Sequence, residues 1–186
     1  MRAFNGYKAE KTAAREHLPV GGYVAKILDA EEAAYTWGNV LVISFDIAEG
    51  EHTGFWERDY QNQTGEDKKW RGTYRLTIPA DDGSEKDEWN KRRFGNAMWA
   101  VEQSNPGYHW GWDEQSLKGK LVGVVYRNWE WEMNGQTGWA TECGTMIDAE
   151  SARKGDFKPL KDRPLNKKAS TPAGGFASAD DDDLPF

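Results

Sequence analysis

Asn39–Ala48 reads NVLVISFDIA, with Leu41, Ile43, Phe45 and Ile47 falling on one side of the chain. A two-residue period of this kind marks a strand with one face in a core. Upstream, Leu18-Pro19-Val20-Gly21-Gly22 predicts a turn into a strand over Tyr23–Ala30. Downstream, Gly54–Gln61 (GFWERDYQ) and Lys69–Ile78 (KWRGTYRLTI) read as two further strands or one interrupted hairpin, with the polar stretch Asn62–Asp67 between them. The pattern then changes period. Ser84 is a candidate N-cap with Asp87 three residues on, and Phe94, Ala97, Met98 and Val101 follow at helical spacing. This predicts a helix over 85–103, stopped by Asn105-Pro106-Gly107. Leu117–Trp131 holds a strand, Asn134-Gly135 is a hairpin turn signal, and Gln136–Ile147 supplies the last strand.

Strands, one helix before the last two, then a hairpin is the element order of an OB-fold. The expectation is therefore an all-β domain with one helix, a five-stranded Greek-key barrel over residues 18–150. Residues 1–17 are largely polar, with Phe4 and Tyr7 the aromatic exceptions, and read as an N-terminal arm. From 151 periodic apolar residues vanish, so 151–179 reads as a disordered, flexible linker with a reach of roughly 30 Å. Residues 180–186 are a separate acidic tip.

Net charge is −7, from 24 basic and 31 acidic side chains. Residues 169–186 hold four of those acids and no Lys or Arg, so the remainder carries 24 against 27. A body that close to neutral can still present a basic face. The single Cys143 excludes an internal disulfide and a cysteine metal cluster, as in a reducing cytoplasm. No apolar run suits a membrane span, and Met1-Arg2-Ala3-Phe4 begins no signal peptide, so the expected location is cytoplasmic. His17, His52 and His109 are isolated, and there is no phosphate-binding loop, dinucleotide glycine pattern or nucleophile elbow. The reading is a non-enzyme with no cofactor and no metal. The acidic pairs Glu31-Glu32 and Asp81-Asp82 leave a metal-dependent nuclease as a weaker alternative.

The end of the chain, Asp180-Asp181-Asp182-Asp183-Leu184-Pro185-Phe186, joins an acidic stalk to an apolar tip. A solvating tail accounts for the aspartates, but it has no use for Leu184, Pro185 and Phe186. A peptide ligand for a basic pocket with an apolar floor accounts for both. This end resembles the C-terminal tip of bacterial single-stranded DNA-binding proteins, with Asp181–Asp183 matching the acidic run and Leu184-Pro185-Phe186 the apolar tip. Over about residues 18–148 the layout is similar to the SSB-like OB-fold proteins of bacteriophages. The resemblance implies binding of single-stranded DNA with little sequence preference in a host cytoplasm. It also implies recruitment of replication and recombination proteins through the tip, which competes with DNA for the basic groove.

If Gly54–Gln61 is a strand, Trp56, Arg58 and Tyr60 share one side. On Lys69–Ile78, Arg71, Thr73, Arg75 and Thr77 share the polar face, with Trp70, Tyr74, Leu76 and Ile78 on the apolar one. Aromatic rings stack on bases while Lys and Arg follow phosphates. Trp56, Arg58, Tyr60, Arg71 and Arg75 are the candidate contacts, with Lys68 and Lys69 on the basic edge. Trp37, Arg127 and Trp129 form a second tier, whereas Trp89, Trp99, Trp110 and Trp112 read as structural. The competing reading makes Trp56 and Tyr60 core residues and the arginines ordinary surface charge. A Trp-rich β-domain that binds carbohydrate or protein surfaces is the alternative function. A homo-oligomer is compatible with the sequence, which fixes no subunit number.

Overall fold

The computed structural model describes residues 16–64 and 66–165. Most of the expected N-terminal arm and the whole tip Asp180–Phe186 lie outside them. The described chain is mostly β, with one five-stranded antiparallel open sheet in the order β3-β2-β1-β4-β5. The elements are β1 (Gly21–Tyr35), β2 (Gly38–Ile47), α1 (Phe55–Asn62), β3 (Thr73–Thr77), α2 (Glu85–Ser104), a 3-10 turn (Glu114–Leu117), β4 (Leu121–Met133), β5 (Gln136–Ile147) and α3 (Ala149–Lys154).

β2 follows its alternation. Leu41, Ile43, Phe45 and Ile47 are buried, and Leu76 and Tyr74 of β3 stand opposite Leu41 and Ile43. On the other side Ala25 and Ile27 of β1 pair with Ile47 and Phe45. A bulge between Ile27 and Asp29 then resets the phase, so Ala30 instead of Asp29 turns inward opposite Ile43. One extra residue keeps a carboxylate out of the core. α2 closes the core with Phe94, Ala97, Met98 and Val101, all buried at the expected spacing. Its Ser84 Oγ accepts from the Asp87 amide at 3.1 Å. The Asp87 carboxylate turns away from the cap and accepts from the amides of Ala80 (2.7 Å) and Asp81 (3.1 Å). Asn134 and Gly135, at φ 53° and 74°, turn β4 into β5 as their dipeptide predicts. The edge strands β3 and β5 come within 8 Å at Cα, yet share no ladder.

Four expectations are corrected. Gly54–Gln61 is not a strand: Phe55–Asn62 is a helix. Gly54, its N-cap, makes no side-chain cap; the Asp46 carboxylate of β2 serves instead, Oδ1 accepting from the Trp56 amide at 2.9 Å and Oδ2 from the Glu57 amide at 3.1 Å. An anion at a helix N-terminus satisfies amides that have no partner within the helix. The expected strand over Lys69–Ile78 shortens to Thr73–Thr77, because the Trp70 indole N–H turns inward to the carbonyls of Phe45 and Gly72, each at 3.1 Å. The domain also has more than one helix.

The fourth correction concerns residues 151–165, expected as the start of a linker. They form most of α3 and then a strap across the sheet. The Phe157 ring lies where a side chain at Gly22 would stand, and Leu160 lies where one at Gly144 would stand. Gly144 is also the extra residue of a bulge between the pairs Val125↔Thr145 and Tyr126↔Cys143. β1 leaves β4 at Tyr126, and the strap takes over the vacated edge. Arg163 donates its amide to the Asn128 carbonyl and accepts from the Glu130 amide, both at 2.9 Å. Asn128 Nδ2 donates to Asp162 at 2.9 Å, and the Leu165 amide donates to Glu130 at 3.0 Å.

Candidate nucleic-acid interface

Because α1 is a helix, the chain must return from Asn62 to β3 through a loop, and Gln63 shapes that loop. Its side-chain amide donates to the Lys69 carbonyl and accepts from the Lys69 N–H, each at 2.9 Å. One side chain thus pairs with a backbone as a neighbouring strand would. This folds Lys68 and Lys69 back beside the end of α1. Lys68 Nζ donates to the Gln61 carbonyl at 3.1 Å and stands 5.7 Å from the Tyr60 ring centroid. A cation is favoured there twice, by the helix C-terminus and by the ring face. Tyr60 is 38% exposed and lies 5.9 Å from Trp70, which holds it from below.

The structure therefore brings together Tyr60, Lys68, Lys69 and Arg71. Arg71 is tied to Asp59 at 3.3 Å with part of its guanidinium exposed. Arg75 is exposed on the outward face of β3, opposite Val42. Lys68, Lys69, Arg71 and Arg75 make a basic margin, tempered by Asp59, Glu66 and Asp67 in the same stretch.

The other expected residues lie elsewhere. Trp56 is 6% exposed, stacks on Tyr126 at 6.3 Å and meets Phe55 edge-on, so it belongs to the core and offers no face to a ligand. Arg58 is exposed on α1, with its guanidinium turned back to the Thr53 carbonyl. Trp37 sits at the tip of the β1–β2 hairpin and stacks on Tyr35 (5.3 Å, 16° between planes), both rings exposed. Arg127 is half-buried and bonds Glu142 at 3.2 Å, while Arg163 approaches the same carboxylate from the strap at 3.4 Å. Trp129 is half-buried beside that strap.

Sequence reasoning missed several exposed rings. Trp99 and Trp112, expected as structural, are 54% and 77% exposed. Tyr35 and Trp139 are exposed as well. Trp139 shares its side of β5 with Cys143, before the bulge, but lies on the part of the β4–β5 hairpin that extends past the pairing of β1 with β4. The inward stripe continues there after the core has ended. Trp89 and Trp110 are half-buried, as a structural role requires; Trp89 and Tyr74 flank the Arg93 guanidinium, each ring centroid 5.3 Å away.

Among the described residues, no cluster of three or more His, Cys, Asp or Glu side chains could hold a metal ion, and no helix is long and apolar enough to cross a membrane. The chain matches no known protein-family model, and no curated protein shows significant sequence similarity to it.

Proposed function

We propose that this chain is a non-enzymatic single-stranded DNA-binding protein of the bacteriophage SSB-like kind, with its sheet curled into an OB barrel. The β1-β2-β3 meander, the return of β4 to β1, the helix between β3 and β4, and the approach of β3 to β5 all support the barrel. The single observation behind the function is the gathering of Tyr60, at the end of α1, with Lys68, Lys69 and Arg71 of the following loop, which leads into β3 and its exposed Arg75. It sets an exposed ring among cations next to β3, the alternation that a strand of bases and phosphates requires. None of these contacts reads a base edge, so sequence preference is weak. The tip Asp180–Phe186 recruits replication or recombination proteins and competes with DNA for the same cations.

Oligo-dT titration at two salt concentrations tests the reading. Binding weakens as salt rises, with a slope of about −0.7 per phosphate neutralised. Absence of binding at low salt overturns it.

A further inference from the structure

Far along the chain from the α1–β3 loop, the segment between α2 and the 3-10 turn holds a second run of rings, and the Lys120 ammonium folds back onto one of them from beyond that turn. Trp112 has a backbone φ of 61°, a left-handed conformation uncommon for a bulky residue and of the kind that gathers at ligand sites. The backbone is held there from both sides. The Trp110 amide donates to the Glu102 carboxylate at 2.8 Å, and Asp113 caps the 3-10 turn through the Gln115 amide at 3.1 Å. The result is an indole laid on Phe94 with centroids 5.9 Å apart and planes 9° apart, its edge supported by Trp110 at 6.2 Å. One face of the Trp112 ring is spent on Phe94, yet the side chain stays 77% exposed, so the stack ends on a presented ring.

Four residues earlier, at most about 14 Å of extended chain away, Tyr108 carries the Lys120 ammonium 4.5 Å from its ring centroid. The Tyr108 hydroxyl is fixed by Ser116 at 2.8 Å. Lys120 and Tyr108 border an open cleft of about 420 Å³ that runs along Ser104–Gly107. An unfilled stacking surface a few residues along the chain from a cation over a polar cleft complements a strand's bases and phosphates, not an apolar helix or strand.

We infer that Trp112 and the Lys120 cleft form a second contact site for single-stranded nucleic acid, separate from the α1–β3 loop, which engages strands long enough to reach both. The inference rests on the DNA-binding reading above and lengthens its footprint. Trp112 stacks on a base, Lys120 meets a phosphate, and the strained turn supplies the ring already oriented.

The test is anisotropy of labelled oligo-dT of about 8 and about 30 nucleotides, one within and one beyond the site size of a single fold. The full-length protein is compared with Trp112→Asn and Lys120→Gln. Asparagine tolerates left-handed backbone, so the first variant removes the ring and keeps the turn. Expected is about a tenfold loss for the long strand in Trp112→Asn, little change for the short one, and a salt slope shallower by about 0.7 in Lys120→Gln. A 5-iodouracil strand crosslinks to Trp112. Wild-type affinity for the long strand in both variants, without crosslinking, overturns the second site and leaves the loop site standing; the ring is then a protein contact. Failure of the unmodified protein to bind either strand removes both readings.

Discussion

Asp46 and Trp56 lie ten residues apart, and the carboxylate of one accepts from the backbone amide of the other at 2.9 Å. That bond joins the interior strand β2 to α1 and so fixes the start of the helix whose far end opens the α1–β3 loop. Asp46→Ala leaves the Trp56 and Glu57 amides without an acceptor. Loss of such a cap costs about 1–2 kcal/mol, and Asp46→Asn, which keeps an acceptor, loses less. Urea unfolding measures the difference, and hydrogen exchange in α1 locates it.

Tyr60 and Trp56 share a helix but serve different ends. Tyr60→Ala weakens oligo-dT binding by about 1–3 kcal/mol and leaves the thermal midpoint nearly unchanged. Trp56→Ala empties the space against Tyr126 and destabilises the fold by about 3–5 kcal/mol. Lys68→Gln and Lys69→Gln each make the salt slope shallower by about 0.7. Equal stability losses in both aromatic variants would falsify this division.

Gly144 and Leu160 occupy one space between them. Gly144→Val puts a branched side chain where the leucine sits and drives the strap off the sheet. Leu160→Ala should be milder, removing contact without collision. Limited proteolysis between 156 and 165, set beside the thermal midpoint, reads both; a strap equally resistant in Gly144→Val contradicts the placement.

Cys143 is turned inward, its thiol near the Thr145 carbonyl at 3.6 Å, and burial pushes its pKa up. A raised thiol pKa suppresses the thiolate, which is the reactive form. Iodoacetamide at pH 8 should therefore modify the protein only as it unfolds. Rapid labelling of the native protein contradicts this.

Removing residues 180–186 should tighten oligo-dT binding and abolish recruitment of partner enzymes. The change in affinity shrinks as salt rises, because the competition is electrostatic. A truncated protein that matches the full chain in both assays marks the tail as a solubiliser.

What could be read from the sequence followed from how local each determinant is. β2 carries its own evidence, since its period of two coincides with one buried face. α2 announces itself through Ser84 and the spacing of Phe94, Ala97, Met98 and Val101. α1 does not, because eight residues fit either period and its cap stands on another element. In β1 the bulge after Ile27 breaks the alternation halfway. The strap was unreadable for a related reason: the space it fills is made by glycines 16 to 135 positions upstream. The basic residues of the site were legible by type, and their gathering was not, since it depends on Gln63. Trp99 and Trp112 read as packing residues because one lies in a helix and the other in the loop that closes it, and a side chain in either place can also face outward.

The strap has one further consequence. Past Tyr126, β4 would offer unpaired amides and carbonyls to any passing strand, the kind of border along which chains polymerise. Arg163 answers the Asn128 carbonyl and the Glu130 amide, and Asp162 and Leu165 fasten the join. Residues 156–165, which look in sequence like slack between two working parts, are the hem of the sheet. A protein cut at 155 should therefore fail first by sticking to copies of itself.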